Sequence, residues 1–300
     1  MQLLNEIDSL ILNYVKELNY QNATTMFLTI KPGKKLRSKL LLKIAQKSDE
    51  SIKLAAIVEM IHAASLLHDD VIDSSDTRRG SASTNALFGS KNAIMLGDIL
   101  YSKAYSKLVK FDKDIAQTIS ESVCKISVGE LMDVLLSKEF NEDKKLYLDM
   151  IYHKTAALIE GSTKAAAILA GLDAEIYAKY GKNLGIAFQI VDDWLDITQS
   201  SQTLGKPAFS DFKEGKTTLP YIYLYERLDS NDKKKLKALF KKELNSDEIL
   251  FIKDKFKEYK IDELVLSEIE FYANEAISAV RGEGRQDLIE IIESLVNRTF

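Results

Sequence analysis

Leu66-Leu67-His68-Asp69-Asp70-Val71-Ile72-Asp73 is the stretch on which the reading of this chain turns. Asp69, Asp70 and Asp73 interrupt an apolar run of helical spacing. On an ideal helix Asp69 and Asp73 lie about 40° apart and one turn from each other, with Asp70 on the flank. Hard divalent cations take oxygen ligands and share them with phosphates, so this geometry suits them. The pattern returns at Asp192-Asp193-Trp194-Leu195-Asp196, directly after Phe188-Gln189-Ile190-Val191. One D-D-x-x-D arises by chance in about one such chain in ten, and two in about one in a hundred. A solvated acidic helix end explains many single cases. It does not explain two copies set among Leu, Ile, Val and Trp, where an unpaired acid is costly. The expectation is a pair of metal-carboxylate clusters: Asp69, Asp70 and Asp73, and Asp192, Asp193 and Asp196.

Outward from these clusters the helical habit continues. Prolines stand only at Pro32, Pro207 and Pro220, and Val-Ile-Thr runs bounded by turns are missing. Leu3, Leu4, Ile7, Leu10, Ile11, Tyr14, Val15 and Leu18 form one stripe at i, i+3, i+4, i+7 spacing. The spacing predicts helices over Leu36–Ala45, Ile52–Asp73, Ala93–Leu108, Ile115–Leu136, Leu146–Leu169 and Ile176–Ile197. It predicts more over Thr217–Arg227, Lys233–Lys242, Asp247–Tyr259, Asp262–Val280 and Arg285–Val296. Ser201–Lys216, with Gly205, Pro207 and Gly215, reads as a loop. Thr163–Leu172 and Leu184–Val191 are apolar all round, which places them inside a bundle. The fold class is all-α, and residues 1–300 read as a single-domain helical bundle.

Composition excludes several classes. An apolar fraction of 46% supports a sizeable core. A net charge of −4 leaves no broad basic balance for nucleic acid. Cys124 is the only cysteine, so intramolecular disulfides and cysteine zinc sites are ruled out. No signal-peptide pattern and no run of 18 apolar residues is present, so a cytoplasmic protein is expected.

The residues around the clusters suit a diphosphate. Lys31-Pro32-Gly33-Lys34-Lys35-Leu36-Arg37 sets Lys34 and Arg37 one turn apart at a loop-to-helix junction, where anions are favoured. Arg78-Arg79-Gly80 follows the first cluster within reach of a phosphate held at Asp69. His62 lies on the same helix face as Asp69. His153-Lys154-Thr155 puts a cation and a hydroxyl into an apolar helix. Gln189 precedes Asp192 by three positions, and Lys206 and Lys216 flank the loop after the second cluster.

This combination resembles the trans-isoprenyl diphosphate synthase, or polyprenyl synthetase, family from Gly33 to the last helix. The resemblance implies a homodimeric all-α fold around a deep central cavity, with the two clusters facing each other at its mouth. It implies that the aspartates hold Mg²⁺, three ions when an allylic diphosphate such as farnesyl or geranyl diphosphate is bound. Arg78, Lys154 and Lys206 then resemble ligands of that diphosphate. Lys34, Arg37, His62 and Arg79 resemble the site for isopentenyl diphosphate, and Thr155 and Gln189 resemble the residues placed near the reacting carbons. Pro32, in place of a common second glycine, and Ser38, in place of a common proline, depart from the family pattern. Both bear on the shape of the loop, and neither removes a charge.

The implied reaction is head-to-tail prenyl transfer, with the product passed to a membrane. In the family, bulky residues one turn before the first cluster accompany short products, and Ala64 and Ser65 stand there. Small side chains leave a tunnel open toward a deeper floor, Met132 or Leu135, which points to a long-chain, octaprenyl-type product for quinone side chains. A short-chain farnesyl or geranylgeranyl synthase remains the second reading. A terpene cyclase would not need the Lys34, Arg37, His62 and Arg79 set, and a non-catalytic partner subunit would not need six aspartates.

Overall fold

The computed structural model describes residues 2–198 and 209–297. About four fifths of it is helix, as the spacing predicts. Its contacts group the chain into two compact units, Met1–Val123 with Gly161–Ala178, and Cys124–Glu160 with Lys179–Phe300.

In the first unit α1 (Gln2–Lys16), α3 (Leu36–Ala45) and α6 (Ser90–Leu108) pack on α4 (Asp49–Ile72). Helix α2 (Gln21–Phe27) and helix α5 (Thr84–Phe88) complete the surround. Ser48 caps the start of α4, four residues before its apolar stripe begins at Ile52. Its hydroxyl accepts from the Ser51 N–H, and the Ser51 hydroxyl accepts from the Ser48 N–H. That reciprocal pair satisfies two donors that a helix start otherwise leaves open. Leu54 through Val58, Met60, Ile61 and Ala64 are fully buried. By length and composition alone α4 could cross a membrane, yet here most of its apolar stretch is packed inside the protein. Position 74 ends the helix, since Ser74 adopts a left-handed backbone at φ 52°.

A two-stranded hairpin follows, β1 (Thr77–Arg78) and β2 (Ser81–Ala82), paired Thr77 to Ala82 and Arg78 to Ser81. Arg79 and Gly80 form its tip, with φ 53° and 70°. Two successive positive φ angles make the tight turn whose twist matches paired strands. Helical periodicity gives no hint of a feature this short.

In the second unit α7 (Lys113–Leu136) contributes its later residues. The predicted helix Leu146–Leu169 is broken into α8 (Lys144–Ile151), a π-helical turn (Tyr152–Ala156) and α9 (Ala157–Ala170). Next comes α10 (Ala174–Thr198); Gly161–Ala178, which holds the end of α9 and the start of α10, belongs to the first unit. The loop expected over Ser201–Lys216 lies partly outside the described residues, and its later part holds α11 (Ser210–Glu214). The remaining helices are α12 (Leu219–Arg227), α13 (Ser230–Leu239), α14 (Ser246–Glu258), α15 (Ile261–Val280) and α16 (Gln286–Val296). Helix α12 packs on α8, α14 and α15. Its Tyr221, Ile222 and Leu224 are fully buried beside Phe212.

Candidate active site

Both aspartate clusters sit at the C-terminal ends of long helices, Asp69 to Asp73 closing α4 and Asp192 to Asp196 in the last two turns of α10. That end of a helix carries partial negative charge, so each carboxylate there is disfavoured by about 0.3–1 kcal/mol. Folding alone gains nothing from this placement, whereas a bound cation reverses its sign.

The members of each cluster differ in role. Asp69 is half-buried and Asp73 exposed. The Asp73 N–H still donates to the Asp69 carbonyl at 2.8 Å, which keeps the two carboxylates one turn apart. Asp70 instead turns inward, 3% exposed, and accepts from Arg78 Nε at 2.5 Å. Burial pushes its carboxyl above the usual range while Arg78 pulls it back. Asp70 thus anchors Arg78 in this structure. Arg78 in turn is no unattached phosphate ligand, although 32% of its side chain stays accessible.

Arg79 reaches from the hairpin tip to the preceding loop, where Nη1 donates to the Lys31 carbonyl at 2.5 Å. A Cβ at Gly33 would lie 2.5 Å from the Arg79 guanidinium, so the two pack closely here. Arg37 Nη1 lies 3.3 Å from His62 Nε2. A guanidinium only donates, so His62 accepts there and carries its proton on Nδ1. Burial, then Arg37, Arg79 and Arg78, hold the imidazole well below its usual pKa, and it is neutral. Burial lowers Arg37 to about 10, and its Nε is buried without a partner. Lys34 is exposed nearby in sequence. Beyond burial, Arg79 lowers Arg37 and Arg78 lowers Arg79, while the Glu59 carboxylate raises both, and Arg37 keeps a buried Nε without a partner.

In the second unit the π-turn carries His153, Lys154 and Thr155. Such a turn adds one residue to the helix and re-aims the side chains within it, a feature common at functional sites. Two glycines hold it. A Cβ at Gly129 of α7 would meet Lys154 N at 2.1 Å, and one at Gly185 of α10 would meet Ala156 Cα at 2.6 Å. Lys154 Nζ pairs with Asp133 at 2.5 Å and Glu130 at 2.9 Å. Glu130 and Asp133 escaped the sequence reading, although Gly129 inside a helical pattern marks a close backbone approach.

Asp192 is the one exposed carboxylate of its cluster. Asp193, 5% exposed, accepts from Tyr147 Oη at 2.6 Å and from Gln189 Nε2 at 2.7 Å. Burial and then the charge of Asp211 push its carboxyl upward, against the pull of those donors. Asp196, 1% exposed, accepts from the Ser210 hydroxyl at 2.7 Å and the Asp211 N–H at 3.2 Å, capping α11. Asp193 and Asp196 are thus buried and accept hydrogen bonds in this structure. In both clusters sequence spacing found the carboxylates, and burial sorted them. Thr155 Oγ1 donates to Gln189 Oε1 at 2.6 Å, so these two residues do meet.

Lys216 pairs with Glu214 at 2.8 Å, and Lys206 lies outside the described residues. Ala64 is fully buried, and Ser65 is half-buried with its hydroxyl donating to the His62 carbonyl. Met132 is half-buried. Leu135 is 52% exposed, which sets it on the surface of the single chain rather than on the floor of an enclosed tunnel.

An all-α chain with cation-seeking aspartates at two helix ends and an anion-seeking arginine cluster defines a class of diphosphate-handling protein. The polyprenyl synthetase family model matches residues 19–254, and the chain belongs to that family. The octaprenyl pyrophosphate synthase structure of Helicobacter pylori is 46% identical with a TM-score of 0.94, covering 98% of each chain. A decaprenyl diphosphate synthase structure from Rhodobacter capsulatus is 26% identical with a TM-score of 0.92, covering 100% of this chain and 97% of that one. The geranylgeranyl diphosphate synthase of Sulfolobus acidocaldarius is 32% identical over 96% of this chain and 92% of its own. Other relatives are matched over less of their length, 66% for a short-chain isoprenyl diphosphate synthase of Methanothermobacter thermautotrophicus and 41% for a rice solanesyl-diphosphate synthase.

Proposed function

We propose that this chain is a trans-prenyl diphosphate synthase that condenses isopentenyl diphosphate repeatedly with an allylic diphosphate, geranyl or farnesyl. Pyrophosphate leaves at each step, and the product is a long all-trans chain of octaprenyl type. The observation that carries this reading is the doubled D-D-x-x-D motif at two helix C-termini in a member of the family.

Hard oxygen ligands support Mg²⁺ as the metal. Asp69, Asp73 and Asp192 keep their carboxylates at least partly accessible, offer hard oxygen ligands and lie where helix dipoles favour a cation. When bound, the ions, three in number by this reading, would neutralise the allylic diphosphate and make it a better leaving group. The chain's own residues do the rest. Arg78, fixed by Asp70, and Lys154 present cations to the allylic diphosphate, with Lys216 and Lys206 assigned to the same substrate. Arg37, His62, Arg79 and exposed Lys34 receive isopentenyl diphosphate. Loss of pyrophosphate leaves an allylic cation, toward which Thr155 and Gln189 direct oxygen dipoles. The isopentenyl double bond then attacks, and a proton departs to the released pyrophosphate.

The long-chain assignment is supported by Ala64 and Ser65, the small side chains one turn before Asp69. A symmetric homodimer is supported by Val128, Leu131 and Leu135, an exposed apolar stripe on α7. A cytoplasmic location and delivery of the product to a membrane complete the proposal.

Labelled isopentenyl diphosphate with farnesyl diphosphate, and products sized by chromatography, test it. Asp69→Ala and Asp192→Ala should each lower turnover by orders of magnitude with the helical fold intact, and a chelator should abolish it. Near-normal turnover in either variant at saturating Mg²⁺ would refute the assignment.

A further inference from the structure

An acid stands among the arginines of the first unit. Ser38, next to Arg37 in the first turn of α3, is fully buried, and its hydroxyl donates to Glu59 Oε1 at 2.7 Å. Glu59 precedes His62 by three positions on α4, about 60° round an ideal helix and about 4.5 Å along it. It therefore lies toward the imidazole that Arg37 Nη1 approaches at 3.3 Å. Both Arg37 and Arg79 feel the charge of Glu59. A carboxylate beside a buried guanidinium ordinarily takes its N–H donors, because a buried charged donor left open is costly. Here Arg37 Nε is buried without a partner, while the Glu59 carboxylate is tied to Ser38.

We infer that Ser38 is a positioning residue that holds Glu59 off Arg37, and that Glu59 is an internal anion opposing the diphosphate that the arginines receive. The two together set the affinity of that site, through an open donor on Arg37 and a charge that limits how tightly an anion is held. The inference rests on the prenyl-transfer reading, which makes the anion isopentenyl diphosphate. In that reaction the double bond of isopentenyl diphosphate attacks, so each product keeps the diphosphate that the arginines hold. Repeated condensation requires that diphosphate to leave the arginines every time, and an opposing carboxylate eases its departure.

Calorimetry with inorganic pyrophosphate in the presence of a chelator reads the arginine site without metal or turnover. Glu59→Gln keeps an acceptor for the Ser38 hydroxyl and removes only the charge. It should tighten pyrophosphate binding roughly five- to tenfold. Ser38→Ala frees Glu59 to close on Arg37 and should weaken binding roughly fivefold. Beside Glu59→Gln, the Ser38→Ala change should have no effect, since no acid is left to hold off. Arg37→Ala should lose most of the binding. The KM for isopentenyl diphosphate should follow the same order. The allylic KM and the single-turnover rate at saturating substrate should stay within about twofold in the Ser38 and Glu59 variants. Weaker binding in Glu59→Gln would make Glu59 an organiser of the arginines and overturn the inference. A Ser38→Ala effect that persists beside Glu59→Gln would reduce Ser38 to packing and overturn it too, as would pyrophosphate binding that survives Arg37→Ala. The expected order of pyrophosphate affinities in a protein that condenses nothing would uphold the charge balance and reject the prenyl-transfer reading alone.

Discussion

Gly129→Ala is the smallest change that should disable the proposed chemistry without touching a charged residue. The added Cβ would lie 2.1 Å from Lys154 N, with the His153 carbonyl carbon and Lys154 Cα at 2.5 Å. All three are backbone atoms, so no rotamer change relieves the clash. Ordinary contact begins at 3.4 Å, and α7 and the π-turn would have to part by more than about 1 Å. A shift of that size at groups that position substrate can cost about a hundredfold in kcat. Overpacking of this kind also costs roughly 1–3 kcal/mol of stability. For a chain of this size that corresponds to a fall in Tm of some degrees, roughly 2–4 °C per kcal/mol. Turnover of labelled isopentenyl diphosphate and a thermal melt followed by circular dichroism measure the two effects. Gly282→Ala serves as the control, because a Cβ there meets nothing within 4 Å. The KM for isopentenyl diphosphate should hold, since Lys34, Arg37, His62 and Arg79 belong to the other compact unit. Wild-type kcat and Tm in Gly129→Ala would refute the idea that the glycine is there to admit the π-turn.

Lys34→Ala and Arg37→Ala should raise the KM for isopentenyl diphosphate about ten- to a hundredfold while the allylic KM moves little. Initial-rate kinetics with each substrate varied would expose the opposite pattern. His62 is held neutral, its pKa well below 6.5, so the unfolded chain binds more protons below pH 6.5 than the folded one does. Its contribution vanishes above that pH and becomes destabilising as pH falls through 6.5 toward the folded value. Urea midpoints should therefore drop less between pH 7 and pH 5 in His62→Gln than in the wild type, and parallel curves would reject this. Ser65→Phe or Ala64→Tyr should shorten the product to farnesyl or geranylgeranyl size with the first condensation little affected. Unchanged product length in both variants would favour a ruler elsewhere and the short-chain reading.

Much of this protein is legible in its sequence because helical order is local. The 3.6-residue period marks α3 to the residue and α4, α6, α7 and α10 within three residues at either end. It cannot register α2, α5 or α11, which are too short to complete a pattern, nor the hairpin tip that aims Arg79. It also runs straight through Leu146–Leu169, because a π-turn keeps the apolar composition of the helix that it interrupts.

The candidate site divides in the same way. Spacing alone brings out Asp69, Asp70 and Asp73, and Asp192, Asp193 and Asp196, since two turns of one helix fix which side chains share a face. Which of them stay accessible to a cation depends on neighbours far along the chain. Arg78 comes from a hairpin, Tyr147 from α8 and Ser210 from α11, and they draw Asp70, Asp193 and Asp196 inward. A carboxylate's role is decided by the donors that reach it and the water it loses. Both are properties of tertiary packing that residue type and spacing do not encode.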